Sequence, residues 1–157
     1  MEMIMLCGIP TCGKSTYVKT LLSQPYWERA IVLSTDNFID KVAEEQGKTY
    51  DEVFKTTIGE ATDFMWEQLK FAIHEGRDII VDRTNLTKKT RKQFLSKVPS
   101  HYRKSAVYFE ISLKDALERN KHRKGKFIPE KVIKSMYHSF EIPNNTENFD
   151  YIERFLG

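Results

Sequence analysis

The stretch Gly8-Ile9-Pro10-Thr11-Cys12-Gly13-Lys14-Ser15, with Thr16 next, constrains this chain more than any other. Its spacing is GxxxxGK[ST], the pattern of a phosphate-binding loop. Glycine at both ends permits backbone angles and a close approach that a Cβ would block. Successive N–H groups can then point inward at a triphosphate. The helix that follows adds its positive N-terminal end. Lys14 is suited to reach the β- and γ-phosphates, and the Ser15 hydroxyl to hold Mg²⁺. ATP and Mg²⁺ are therefore the expected cofactors. The flanks agree: Met3–Cys7 is a short apolar run, as a buried parallel strand requires. After the loop, Val18, Leu21 and Leu22 fall at helical spacing.

The rest of the chain repeats that alternation. Ala30–Leu33, Asp78–Asp82 and Ser105–Ile111 read as three further strands. Between them the pattern predicts a helix from Asp36 to Gln46 stopped by Gly47, a short helical piece over Tyr50–Lys55, and a separate helix from Gly59 to His74. Thr87 reads as the cap of a helix over Lys88–Val98, and Ser112 as the cap of one reaching about Lys124. Pro129 opens a last helix whose apolar positions are Val132, Ile133, Met136, Tyr137 and Phe140. The segment from Phe149 to Leu156 fits either an edge strand or a tail. The expected fold is α/β: a P-loop NTPase with a mostly parallel central sheet of four to five strands, flanked by helices and carrying a helical lid. Residues 1–157 are expected to form a single domain, with the lid at roughly 117–140.

Composition narrows the alternatives. Apolar residues make up 40% of the 157 and charged ones 30%, ordinary for a globular chain. No run approaches the ~20 apolar residues of a membrane span, and no signal-peptide layout precedes the loop, so the expectation is cytoplasmic, without a membrane partner. Cys7 and Cys12 are expected to be free thiols, with Cys12 exposed in the loop. The four histidines lack metal-ligand spacing. Net charge is only +3, yet from Arg83 to Lys126 fourteen Lys or Arg face three Asp or Glu. Such a segment favours polyanionic partners, although a solvated helix face would also account for it.

Ligands of parallel sheets bind at the carboxyl ends of the strands. Three stretches meet there beside the loop. Asp36, one step past the second strand, is either a general base for an attacking hydroxyl or an N-cap. Asp82 ends the third strand, where a magnesium-site aspartate belongs, and Arg83, Thr84 and Asn85 follow it with groups able to orient a substrate. Arg119, Arg123, Lys124 and Lys126 end the helix after the fourth strand. Arg119 and Arg123 are four apart and would share a helix face. With Gly125 as hinge they suit a lid that closes over phosphates.

Taken with the loop and Asp36, the runs Asp82-Arg83-Thr84-Asn85-Leu86 and Arg119-Asn120-Lys121-His122-Arg123, through Ile128-Pro129 to Met136-Tyr137, resemble the 5′-hydroxyl polynucleotide kinases, most of all the kinase domain of the bacteriophage end-healing type. The likeness covers residues 3 to about 140. It implies transfer of the ATP γ-phosphoryl to the 5′-hydroxyl end of DNA or RNA in nucleic-acid repair. By that likeness Asp36 is the base, Arg123 acts on the transferring phosphoryl with help from Arg119, Thr84 lies by the acceptor, and Ile128 lines the pocket under the terminal nucleoside. Two departures stand out. The family's arginine three residues after the base, which contacts the acceptor's 3′-phosphate, is Ile39 here, so weak dependence on that phosphate is expected. The DxDGT phosphatase motif is absent, so 3′-phosphatase activity is not expected, which leaves room for a separate phosphatase or ligase partner. The other readings are a small-molecule P-loop kinase acting on a nucleoside or metabolite, and a non-catalytic, ATP-gated nucleic-acid-binding module.

Overall fold

The computed structural model describes residues 1–156. Five parallel strands form one sheet in the order β2-β3-β1-β4-β5: β1 (Glu2–Cys7), β2 (Ile31–Leu33), β3 (Ile79–Asp82), β4 (Arg103–Glu110) and β5 (Tyr151–Leu156). The central strand β1 is buried on both faces, which explains why it reads as an unbroken apolar run. Its side chains alternate. Met3, Met5 and Cys7 face one layer of the core, and Ile4 and Leu6 the other. The first layer is closed by α3 (Tyr50–His74) and α4 (Lys88–Leu95), through Met65, Leu69, Ala72 and Phe94. The second is closed by α1 (Lys14–Leu22), α5 (Leu113–Lys121) and α6 (Glu130–Ser139), through Val18, Leu21, Ala116 and Ile133. Helix α2 (Thr35–Gln46) packs on α3 through Ile39, Ala43, Val53 and Ala61.

The α/β class, the parallel sheet and the flanking helices agree with the sequence expectation. Several boundaries differ, each for a tertiary reason. Tyr50–His74 is one helix of 25 residues, not two. Gly59 costs only about 1 kcal/mol in a helix interior, and Val53, Thr57, Ala61, Met65, Leu69 and Ala72 are buried along the whole length. Thr49 and Glu52 form a capping box that starts it. Helix α5 stops at Lys121, earlier than the apolar pattern suggested, so Arg123 lies in the following loop. The terminal segment is an edge strand, paired to β4 from Ser105↔Tyr151 to Glu110↔Leu156. Cys7 and Cys12 are free thiols, but both are buried, so Cys12 is not the exposed residue expected of a loop position. Burial pushes the Cys7 thiol up to about 12.

One ion pair is fully internal. Arg91 of α4 donates from Nε to Glu147 Oε1 at 2.7 Å and from Nη2 to Oε2 at 3.1 Å, and its Nη1 donates to the Asn85 carbonyl at 2.9 Å. The pair ties the turn at Asn145–Glu147 to the loop that follows β3. Glu147→Gln would leave the guanidinium buried without its counter-charge. The expected loss of unfolding free energy is roughly 3–5 kcal/mol, read from urea denaturation; a loss below ~1 kcal/mol, typical of exposed pairs, would contradict that account.

Candidate active site

All five strands run the same way, so their carboxyl ends and the loops after them crowd one rim of the sheet. The phosphate-binding loop leaves β1 there. Its first glycine is required by packing: a Cβ on Gly8 would come within 2.7 Å of Cys12 Sγ and 3.1 Å of Phe109 Cβ. Its second is required by conformation, because Gly13 caps α1 at φ 105°. Ile9 and Cys12 turn into the core beneath the loop. They, like Gly8, can offer a ligand only backbone, whereas Pro10, Thr11, Gly13, Lys14, Ser15 and Thr16 line an open cleft of about 800 Å³. Lys14 Nζ donates to the carbonyls of Gly8 at 2.8 Å and Ile9 at 3.0 Å. The ammonium is thus held against the loop that would wrap a polyphosphate.

Opposite stands the first turn of α2. Ser34 is the cap, its Oγ accepting from the Asn37 N–H, so Asp36 does not have that duty. Its carboxylate is exposed, lines the cleft, and accepts a hydrogen bond from the Tyr50 hydroxyl at 2.6 Å. Burial, followed by the hydrogen bond to Asp36, pushes the Tyr50 phenol well above its ordinary range, so the hydroxyl remains a donor. Asp82, Arg83 and Thr84 form the floor. Burial raises the Asp82 carboxyl above its usual range, with Lys14 working against the shift. Burial lowers the Arg83 guanidinium, with Asp36 opposing.

One sequence expectation departs from the structure here, that for Asn85. Asn85 is fully buried and does not line the cleft. Its Nδ2 donates to the Leu6 carbonyl at 2.7 Å, and the neighbouring Thr84 carbonyl accepts from the Gly8 N–H at 2.9 Å. Asn85 therefore braces the loop after β3 against β1. Ile39 is likewise fully buried, in the α2–α3 seam with Ala43, Val53 and Ala61. A guanidinium there would enter the core and not the acceptor space, so Ile39→Arg is not a route to a phosphate contact.

The remaining wall comes from the segment between α5 and α6. Asn120 is buried and staples the segment in both directions: its Nδ2 donates to the Ile128 carbonyl at 2.6 Å, and its Oδ1 accepts from the Ile128 N–H at 3.2 Å. This brings Arg119, Arg123 and Ile128 to the cleft although Arg123 is outside the helix. Arg119 donates to the Thr11 carbonyl at 3.0 Å. Arg123 Nη1 is buried without a hydrogen-bond partner, the only such cation nitrogen among the described residues. A desolvated, unpaired guanidinium nitrogen in a cleft walled by a phosphate-binding loop is suited to an anion.

Sequence reasoning missed several residues of the cleft: Asp40, Tyr50, Asp51, Phe54 and Phe127 among them. Asp40 carried a usable signal, since it lies four residues from Asp36 on one helix and shares its face. Tyr50 carried none, because its approach to Asp36 depends on how α2 and α3 pack.

The anion-binding features fit a nucleoside triphosphate, and the oxygen donors Ser15 and Asp82 fit a hard divalent cation. Residues 3–143 match a protein family described as an AAA domain. The chain is 29% identical over 154 residues to the L-seryl-tRNA(Sec) kinase of Methanococcus maripaludis, an alignment covering 94% of this chain and 56% of that protein. It is also 29% identical over 153 residues to a protein of Autographa californica nuclear polyhedrosis virus named as a bifunctional polynucleotide kinase/RNA ligase, covering 94% and 22%. The chain thus spans little more than half the length of the first relative and under a quarter of the second. Among solved structures, Kti12 of Chaetomium thermophilum in complex with ADP-AlF3 superposes with a TM-score of 0.65 at 14% identity, covering 98% of this chain and 88% of that one. No described helix is long and apolar enough to cross a membrane. The match from the first strand to beyond α6 shows that this chain belongs to the AAA domain family, built on the fold of the P-loop kinases.

Proposed function

We propose that this chain is an ATP-dependent kinase that phosphorylates the 5′-hydroxyl end of a polynucleotide. The observation that carries the reading is that one cleft is lined both by Lys14, Ser15 and Arg123, whose Nη1 is unpartnered, and by the exposed carboxylate of Asp36, which Ser34 relieves of capping. The first group suits a phosphate donor and the second an acceptor hydroxyl. In the reaction the acceptor oxygen bonds to the γ-phosphorus, the bond from that phosphorus to the bridging oxygen breaks, and ADP leaves. Asp36 takes the hydroxyl proton. Lys14 and Arg123 stabilise charge on the transferring group. Ser15 and Asp82 would hold the divalent cation, which supplies neutralising charge at the phosphates. Thr84, Arg83 and Ile128 are positioned to contact the acceptor, and residues 117–140 serve as the lid.

The nucleic-acid acceptor is supported by the surface beside the site. Lys88, Lys89 and Lys92 are exposed on α4, which begins shortly after Thr84. Not every cation of the basic segment contributes, since Arg91 is consumed internally by Glu147. The relative with polynucleotide kinase in its name supports the same class. A second reading, a hydroxyl carried by an aminoacyl-tRNA, is favoured by the other relative, which aligns over as much of the chain.

The test is transfer of labelled phosphoryl from ATP to a 5′-hydroxyl oligonucleotide, to seryl-tRNA and to free nucleosides. Label on the oligonucleotide end is the expected result; label only on seryl-tRNA or only on nucleosides would replace the acceptor assignment. Within the active pair, Asp36→Asn is expected to lose at least ~100-fold in kcat, the low end of a general base's contribution. Its melting temperature should hold, because Ser34 caps the helix. Full activity in that variant would remove Asp36 from the mechanism.

A further inference from the structure

We infer that Tyr50 is a positioning residue for phosphoryl transfer, holding the Asp36 carboxylate in the orientation from which it receives the acceptor's proton. The inference rests on the reading of Asp36 as general base and extends it to a residue on another helix.

An exposed aspartate on the first turn of a helix is a rotor with two equivalent oxygens. A base needs one of them aimed at the acceptor hydroxyl and the other kept away. The Tyr50 hydroxyl anchors Oδ1 at 2.6 Å and leaves Oδ2 available. The hydroxyl is itself well fixed. Tyr50 is the first residue of α3, between the two partners of the Thr49–Glu52 capping box, and α3 packs on α2 through the Ile39, Ala43, Val53 and Ala61 seam. The ring is also held from the lid side: Lys126 Nζ lies 5.0 Å from the ring centre and pairs with Asp40 Oδ2 at 2.7 Å. The next residue, Asp51, accepts from the Phe127 N–H at 3.1 Å and donates its own N–H to the Gly125 carbonyl at 3.1 Å. The base, the start of α3 and the lid segment therefore meet at Tyr50, which reaches Asp36 through its hydroxyl and Lys126 through its ring. A tyrosine serving only as packing would not direct its hydroxyl to the carboxylate of the reacting side.

The test is a double-mutant cycle with Tyr50→Phe and Asp36→Asn, which deletes the hydroxyl without disturbing the ring. At saturating ATP and acceptor, Tyr50→Phe is expected to lower kcat about tenfold, a modest fraction of what loss of the base itself costs. KM for ATP should stay unchanged. In the Asp36→Asn background the same substitution should have no further effect on kcat. Asparagine still accepts the tyrosine hydrogen bond, so a purely structural contribution would persist in that background and only an effect on the base would vanish. Wild-type kcat in Tyr50→Phe, or an equal loss in both backgrounds, overturns the inference. The cycle is run on whichever acceptor takes the label, so a wild type that uses seryl-tRNA or a nucleoside instead of the oligonucleotide overturns the polynucleotide assignment and still decides the role of Tyr50. A wild type that transfers to no acceptor overturns both.

Discussion

Arg123→Lys is expected to lower kcat by on the order of a thousandfold, and Arg123→Ala by at least as much, on the scale of an arginine that stabilises phosphoryl transfer. The lysine variant is the informative one. It keeps a positive charge but loses the planar fork of donors, of which Nη1 is buried and unpartnered. A compact ammonium on a flexible stem lacks the rigid, parallel pair of N–H groups with which a guanidinium meets two phosphoryl oxygens in one plane. If Arg123 acts mainly on charge that develops in the transition state, ATP affinity should fall far less than turnover. Single-turnover kinetics alongside equilibrium nucleotide binding separate the two. Equal losses in both would make Arg123 a clamp on bound ATP. Near wild-type turnover in Arg123→Lys would mean that net charge alone suffices.

Lys14→Ala is expected to reduce transfer by about a thousandfold or more, the upper end of what one preorganised electrostatic contact contributes. The fold should survive. Lys14 is half-buried at the start of α1, and its ammonium bonds only to the loop's own carbonyls and, at 3.5 Å, to Cys12 Sγ. Truncation frees those carbonyls toward an open cleft that water can enter, so no buried group is left orphaned. Circular dichroism and the melting curve should match those of the wild type while the label assay loses its signal. Substantial turnover at saturating ATP would remove the loop lysine from catalysis. A collapsed melting temperature would show instead that Lys14 braces the loop.

The phosphate-binding loop could be recognised from sequence because its physics is local. Two glycines, a lysine and a hydroxyl at fixed spacing act within one strand–turn–helix unit. The same holds for the caps at Thr87 and Ser112, whose side chains accept from backbone N–H groups three residues on. Strand and helix types followed from periodicity, since β1 is buried on both faces and the helices on one. The breaks that failed were those where tertiary burial outweighed a local signal. Gly59 was one, carried through by the buried face of α3.

The role of Asp36 could not be read from its neighbours. Cap and base are served by the same carboxylate at the same place, and only the Ser34 contact to Asn37 assigned the cap elsewhere. Asn85 was misplaced for a related reason, and the direction of Ile39 could not be read either. Sequence position says that a residue follows a strand or lies one turn past a base, but not which way its side chain points. Asn85 turns inward to Leu6, and Ile39 into the α2–α3 seam. Tyr50 meets Asp36, Lys126 meets Asp40 and Phe127 meets Asp51 only because α2 folds back on α3 and the segment between α5 and α6 lies across both. The sequence by itself determined that this chain carries a phosphate-binding loop motif on a parallel α/β sheet, since those properties depend on contacts within a few residues. Which arginine nitrogen is unpaired and which hydroxyl reaches the Asp36 carboxylate were decided by the tertiary structure, because each depends on groups brought together from distant parts of the chain.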